Sequence, residues 1–420
     1  MSQAASQPGT VRVAAIDCGT NSLRLLIADV NPLRAELTDL VRRMEIVRLG
    51  QGVDATGMLA ADALDRTFRM LTDYARAIKA TSAQKVQMVA TSAIRDAVNA
   101  TEFIRGVTRI LGVAPEVLSG DQEARLAFTG ATAELAAGGD GAGRHGAAGD
   151  DGAGRDGAAE KAGAAGCEAA GMSGAAGYGA AGTGGAAGCE AAGTGGAASY
   201  GATGRDGMAG NDGMAGNDGM AGNDRRPRPG PARLAPPYLV MDIGGGSTEF
   251  VVGGDGTGTA HLAAISVDIG CVRLTERHLH SDPPLAAEIT AATADIDAAL
   301  AAVNGRIPVA SARTLVGLAG SVTTVTAIAL GLDAYDPARI HHARIPADQV
   351  SAVTAELLRL SRNERASISV LHPGRVDVIG AGALVLDRVL RNFGFGAVVA
   401  SEHDILDGIA WSLAGNGALP

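Results

Sequence analysis

The chain has 420 residues, 46% of them hydrophobic and 19% charged, with a formal net charge of −10. That length predicts two or three domains, and the acidic balance argues against a general binder of nucleic acid or of anionic membranes. Positive charge comes almost entirely from arginine, which suits forked hydrogen bonds to phosphate but also follows from GC-rich coding.

Residues 1–10, MSQAASQPGT, have no basic start and no apolar core of a secretory signal, and are expected to be disordered. Strands are predicted over 11–17, 22–30 and 37–49, then a helix over 59–79. A strand over 85–91, a helix over 100–111, a short strand over 116–118 and a helix over 120–135 follow. From about Ala136 to Arg233 the composition turns to Gly and Ala, with GCEAAG at Gly166 and again at Gly188 and three tandem GMAGND copies over 207–224. So few large apolar residues cannot offset the entropy of ordering that much glycine, and the segment is expected to be a disordered insert. The tandem copies lack the nine-residue period of a calcium-binding roll; linker expansion explains them better.

Beyond the insert, strands are predicted over 238–242, 248–253 and 261–267, then helices, with further strands over 314–317 and 397–399. Paired strands followed by strand–helix alternation, occurring twice, predict an internally duplicated α/β protein with mixed sheets. The domains are expected over 11–135 and 234–420, with the insert over 136–233 at their joint and C-terminal helices able to pack back on the first domain. Cys18, Cys167, Cys189 and Cys271 form no Cys-x-x-Cys pair and no Cys/His cluster, so neither a zinc site nor a disulfide framework is expected. No apolar run approaches the roughly 20 residues that cross a bilayer. The expectation is a soluble cytoplasmic protein.

Two stretches match in kind: DCGTNS, Asp17 to Ser22, and DIGGGSTE, Asp242 to Glu249. In each an acid ends an apolar strand and a small polar turn leads into the next strand. Either turn alone reads more readily as a Gly-rich hairpin; as a pair they suggest a phosphate-holding device. Gly19, Gly244, Gly245 and Gly246 let consecutive amides converge on one anion, and Thr20, Asn21, Ser22, Ser247 and Thr248 complete the turns with short polar groups. Asp17 and Asp242 stand where a divalent cation would offset phosphate charge. Gly320 and Ser321 open a helix after an apolar strand, either as an anion site or as a simple Ser cap. Arg95 follows the strand-end hydroxyls Thr91 and Ser92, either clamping phosphate or standing exposed near a cap. Glu123 falls in a first helical turn, where an acid commonly complements the helix dipole. Glu249 lies among apolar neighbours, where a carboxylate needs a metal, an arginine or water.

Taken in order, AAIDCGTNSLRLLI, ATSAIRDAVN, LSGDQEARLAFTG, DIGGGSTEFVVG, GLAGSVTT and RVDVIGAGALVLDRVL…SEHDILDGI resemble the exopolyphosphatase / guanosine pentaphosphate phosphohydrolase (Ppx/GppA) family, a branch of the actin-like and sugar-kinase ATPase superfamily. The resemblance covers essentially everything outside the insert. It implies two ribonuclease-H-like domains with the active site in the cleft between them. It implies Glu123 as catalytic base, Glu249 holding water and metal, Asp242 supporting Mg²⁺ (or Mn²⁺) and Arg95 binding phosphate. The implied reaction is hydrolysis of terminal phosphate from polyphosphate or from guanosine pentaphosphate; a homodimer fits the same resemblance. A kinase-like ATPase and a non-catalytic polyphosphate or alarmone sensor are the rival readings. Three departures stand out: Gln122 where many members carry a second acid, no C-terminal helical domains, and the insert after the Glu123 helix.

Overall fold

A computed structural model describes residues 9–136, 234–254 and 262–415. The expected insert and the expected disordered N-terminus lie outside the described residues, apart from Ala136, Gly9 and Thr10.

The first strand, β1 (Val11–Cys18), is buried over six of its eight residues because it has a neighbour on each side and a helical layer on each face. It pairs antiparallel with β2 (Ser22–Asn31), which pairs with β3 (Glu36–Ile46), and parallel with β4 (Lys85–Ala90), which pairs with β5 (Glu116–Val117). The sheet order is β3-β2-β1-β4-β5. The second sheet repeats the plan. β6 (Tyr238–Ile243) is buried throughout, antiparallel to β7 (Thr248–Gly253) and parallel to β9 (Thr314–Leu318). With β8 (Ala263–Val267), β10 (Arg344–Pro346) and β11 (Ala397–Ala400) the order is β10-β11-β9-β6-β7-β8. Continuous apolar runs such as Leu239 to Met241 suit strands covered on both faces.

The result is two mixed sheets in two domains, with three apolar cores. One lies outside the first sheet under the helices Ala61–Thr81 and Ala100–Leu111. Another lies outside the second sheet under helices that include Ala286–Arg306 and Ile379–Phe393. The third lies between the sheets and is built on two helices, Gly120–Ala136 and Ile405–Ala414.

These two helices exchange partners. Gly120–Ala136 follows the first sheet in the chain yet packs on β6, β7 and β8, while Ile405–Ala414 follows the second sheet yet packs on β1, β2 and β4. Arg42 Nη2 of β3 pairs with Asp407 Oδ1 at 2.6 Å, and Lys85 Nζ donates to the Leu413 carbonyl at 2.6 Å, pinning the last helix to the first sheet. Among the described residues no helix is long and apolar enough to cross a membrane.

Two departures from the expected elements have local causes. β3 ends at Ile46, not Leu49, because the amides of Val47 and Arg48 turn to the Asn21 carbonyl at 3.0 and 2.8 Å. The three-residue β10 was not expected: it is short, carries a proline, and exists only as an edge partner of β11.

The central helices touch backbone to backbone. A Cβ on Gly130 would overlap the Asp404 carbonyl, and one on Gly408 would overlap the Leu126 carbonyl. Gly130→Ala should therefore destabilise by about 1–3 kcal/mol through overpacking, although alanine gains ~1 kcal/mol in helix propensity. Gly305→Ala, in a helix with open space around that position, isolates the propensity term and should stabilise. Urea unfolding of both variants checks the opposite signs.

Candidate active site

The two glycine turns share one construction. In the first, the Thr20 carbonyl accepts from Gly50 N at 2.8 Å, and the Asn21 carbonyl accepts from Val47 and Arg48. In the second, the Gly244 carbonyl accepts from Cys271 N at 3.0 Å, and the Gly245 carbonyl from Val272 and Arg273 N at 2.9 and 3.1 Å. A peptide unit is planar and trans, so tying its carbonyl back aims the next residue's N–H the opposite way. The amides of Asn21 and Ser22, and of Gly245 and Gly246, are thereby turned away from the scaffold that holds their carbonyls. Such runs of amides make anion-binding concavities.

The turns also touch each other. A Cβ on Gly245 would come within 2.8 Å of Thr20 Cβ, and one on Gly246 within 2.7 Å of Ser92 Oγ. Only glycine permits that approach. On the first-turn side of this seam the Thr20 and Ser92 hydroxyls hydrogen-bond to each other at 3.0 Å.

One pocket is lined by Asp17, Gly19, Thr20, Asn21, Ser22, Glu123, Asp242, Gly244, Gly245, Ser247, Gly320 and Ser321, all singled out from the sequence. Four other expected residues stand just outside the lining. Gly246 packs into the seam between the turns. The Thr248 hydroxyl donates to the Ile269 carbonyl within the hairpin. Glu249 lies one layer deeper, accepting from the Ser266 hydroxyl at 2.7 Å and from Ser247. Arg95 Nη1 donates to the Leu118 carbonyl at 3.2 Å and stands 3.7 Å from Glu123 Oε2.

Two helix starts at the site are capped differently. Ser119 and Gln122 cap the helix at Gly120, with Gln122 Oε1 accepting from Ser119 N at 3.0 Å. Glu123 is thus spared for the pocket. The helix Ala319–Ala329 has no side-chain cap; its N-cap position is Leu318, so Ser321 is not a capping serine. Ala319 takes a left-handed φ of 65° there, a conformation that costs a non-glycine residue about 1–3 kcal/mol.

The structure adds residues that the sequence reading passed over. Arg24 also lines the pocket; its Nε and Nη2 donate to Asp17 Oδ2 at 2.9 and 2.6 Å, and its Nη1 pairs with Asp404. Its signal was an arginine between Leu23 and Leu25 in a buried strand, directly opposite Asp17 in the hairpin register. Arg375 lies against Gly320 so closely that a Cβ there would overlap its guanidinium, and its Nη1 donates to Thr324 Oγ1 at 3.3 Å.

Burial sets the electrostatics. It raises the Asp17 carboxyl, against the opposing charge of Arg24. Burial carries Asp242 well above the usual carboxylate range, again opposed by Arg24. Glu123 is driven well up by burial and then by the charge of Glu249. Glu249 is pushed up to about 7 by burial, against hydrogen bonds from Ser266 and Ser247. Burial would lower the Arg24 pKa, but Asp404, Asp17 and Asp242 outweigh it and hold the charge.

Two buried oxygens, Asp17 Oδ1 and Glu123 Oε2, have no hydrogen-bond partner. Such orphans are rare and call for a ligand, ion or water. Among the described residues no three His, Cys, Asp or Glu side chains converge as ligands of one metal ion. Mg²⁺, however, takes one or two carboxylates and completes its shell with water and phosphate oxygens. Asp17 and Asp242, lining the same pocket, suit that mode of binding.

The model of the Ppx/GppA phosphatase family matches residues 26–142 and 234–416. Exopolyphosphatase 2 of Mycobacterium tuberculosis is 38% identical over 415 residues, covering 96% of this chain and 99% of that protein. The crystal structure of an exopolyphosphatase-like protein matches with a TM-score of 0.68 at 34% identity, covering 97% of this chain and 99% of the other. The Aquifex aeolicus Ppx/GppA family member shares the fold, with a TM-score of 0.61 at 23% identity over 97% of this chain and 100% of its own. Matched on both sides of residues 143–233 and along nearly its whole length, the chain belongs to the Ppx/GppA phosphatase family.

Proposed function

We propose that the chain is an exopolyphosphatase, hydrolysing the terminal phosphoanhydride bond of inorganic polyphosphate in the pocket between its two glycine turns. The observation that carries this reading is the near-full-length likeness to Exopolyphosphatase 2. The pocket is taken as the cleft between two ribonuclease-H-like domains, over 11–135 and 234–420.

The terminal phosphoryl group sits between Gly19–Ser22 and Gly244–Thr248, with Arg95 beside it. Gly320 and Ser321, at an uncapped helix N-terminus, receive an adjoining phosphate. Glu123 holds a water in line with the breaking P–O bond through its unpartnered Oε2 and takes the water's proton as the P–O bond to the nucleophile forms. The shortened chain leaves as a phosphate anion and needs no proton from the protein. Glu249, coupled to Glu123 by charge, helps hold the water. Mg²⁺ (or Mn²⁺), held by Asp242 with Asp17 and Glu249, would offset the phosphate charge when bound. Positioning and charge neutralisation supply most of the rate in such reactions.

Phosphate release from polyphosphate of graded length, guanosine pentaphosphate and ATP, each with and without Mg²⁺, tests the assignment. Polyphosphate should be cleaved in a Mg²⁺-dependent way. Cleavage of guanosine pentaphosphate alone would move the substrate to the alarmone, and binding without release would make the chain a sensor. Glu123→Gln should lower kcat by about 10²–10⁴ while leaving tripolyphosphate affinity within a few-fold; wild-type turnover in that variant would remove Glu123 from the base role.

The raised carboxyl pKa values give turnover and stability opposite pH trends. A base must be ionised, and burial drives the Glu123 carboxyl well above the usual carboxylate range, so turnover should rise with pH through that raised range and fall as pH drops below it. A carboxyl whose folded pKa lies above its unfolded value contributes stability that is fully present below the unfolded pKa, about 4.3 for Glu. That contribution is lost as pH rises through the folded value. Without divalent cations the thermal midpoint should therefore decline from pH 5 to pH 8 less steeply in Glu123→Gln than in the wild type. Identical slopes would contradict the burial of an ionisable Glu123.

A further inference from the structure

Behind the second glycine turn, outside the pocket lining, lies a guanidinium whose three nitrogens are all engaged. Arg273, on the helix Cys271–His278, donates from Nε to the Gly246 carbonyl at 2.7 Å. Its Nη1 pairs with Asp54 Oδ1 and its Nη2 with Asp96 Oδ2, each at 2.5 Å. The side chain is only 12% exposed.

Each of the three contacts leads to the site. The Gly246 carbonyl belongs to the same planar peptide as the Ser247 N–H, so pulling that oxygen outward aims the amide of a pocket-lining residue the opposite way. The helix amides of Cys271, Val272 and Arg273 already hold the two preceding carbonyls, and the Arg273 side chain completes the row of three. Asp96 ends the short helix Ser92–Asp96, which also carries Ser92 and Arg95. Asp54 lies in the helix Val53–Thr56, four residues after Gly50, whose amide holds the Thr20 carbonyl of the first turn.

We propose that Arg273 is a positioning residue: it sets the Ser247 amide and fastens the second glycine turn to the two segments that support the first turn and Arg95. A planar fork can span a carbonyl and two carboxylates at once, whereas an ammonium is a point charge that cannot hold three fixed directions. The role rests on the reading that both turns hold one phosphate chain end.

The test uses Arg273→Lys and Arg273→Gln in the full chain, with Arg277→Gln as control. Arg277 lies on the same helix and pairs with the same Asp54, but its other ion-pair partner is Asp295. Steady-state phosphate release from polyphosphate, tripolyphosphate affinity by calorimetry and the thermal midpoint are read for each. Misplacing a reacting group by about 1 Å can cost ~10²-fold, so both Arg273 variants should lose about tenfold or more in kcat and several-fold in tripolyphosphate affinity. Arg277→Gln should keep both while losing a comparable part of the thermal midpoint. Wild-type kcat and affinity in Arg273→Lys would overturn the proposal, as would equal losses in Arg277→Gln, which would reduce Arg273 to a general fastener. Should Arg273→Gln not fold, Arg273→Lys decides. A wild-type protein that releases no phosphate would sink the hydrolase reading instead, and the affinity comparison would then judge Arg273 alone.

Discussion

Three carboxylates, Asp17, Asp242 and Glu249, are taken out of water where the two sheets meet, with Glu123, its side chain 12% exposed, beside them and Arg24 as the guanidinium bonded to Asp17. Ionised carboxyls in so dry a place cost several kcal/mol each unless paired, and here the pairing is incomplete. Asp17 shares one oxygen with Arg24 and leaves the other bare, and Glu123 keeps a bare oxygen 3.7 Å from Arg95. The folded protein therefore carries an electrostatic debt that a cation and an anionic chain end together would relieve. Stability given up at the site is the ordinary accompaniment of a preorganised polar pocket.

The fold makes that concentration possible by using one device twice. A buried strand ends in an acid, a glycine turn follows, and the returning strand places one residue opposite the acid. In the first hairpin that residue is Arg24, facing Asp17; in the second it is Glu249, facing Asp242. The halves are thus alike in backbone and unlike in charge: one neutralises its strand-end acid, the other doubles it. The exchanged helices join the halves from within. Gly120–Ala136 brings Glu123 toward the second sheet, and Ile405–Ala414, through its N-cap Asp404, reaches Arg24 on the first. Gly130 and Gly408 let these helices cross closely enough for both to act at one place.

What the sequence disclosed was the chemistry that repeats and the elements with strong patterns. The acid-plus-glycine turns are local, so Asp17 to Ser22 and Asp242 to Glu249 could be read directly. The buried strands β1, β6 and β7 and the helix over 100–111 declare themselves by apolar runs or period. Arg375 and Arg273 stayed hidden because each draws its meaning from a partner far along the chain, Gly320, and Asp54 with Asp96, whereas Arg24 was legible from Asp17 opposite it and only its pairing with Asp404 was not. Nothing local tells that Gln122 rather than Glu123 serves the helix cap, since either side chain stands close to the helix start. The partner exchange of the two central helices likewise depends on tertiary packing that chain order conceals.

The central claim is that both glycine turns grip one phosphate chain end with Glu123 facing it. A crystal structure of the Glu123→Gln variant with Mg²⁺ and tripolyphosphate tests this most directly. The terminal phosphoryl oxygens should accept hydrogen bonds from amides of both Gly19–Ser22 and Gly244–Ser247, with residue 123 on the side away from the bridging oxygen. A chain end held by one turn alone, or residue 123 pointing away from it, would contradict the account.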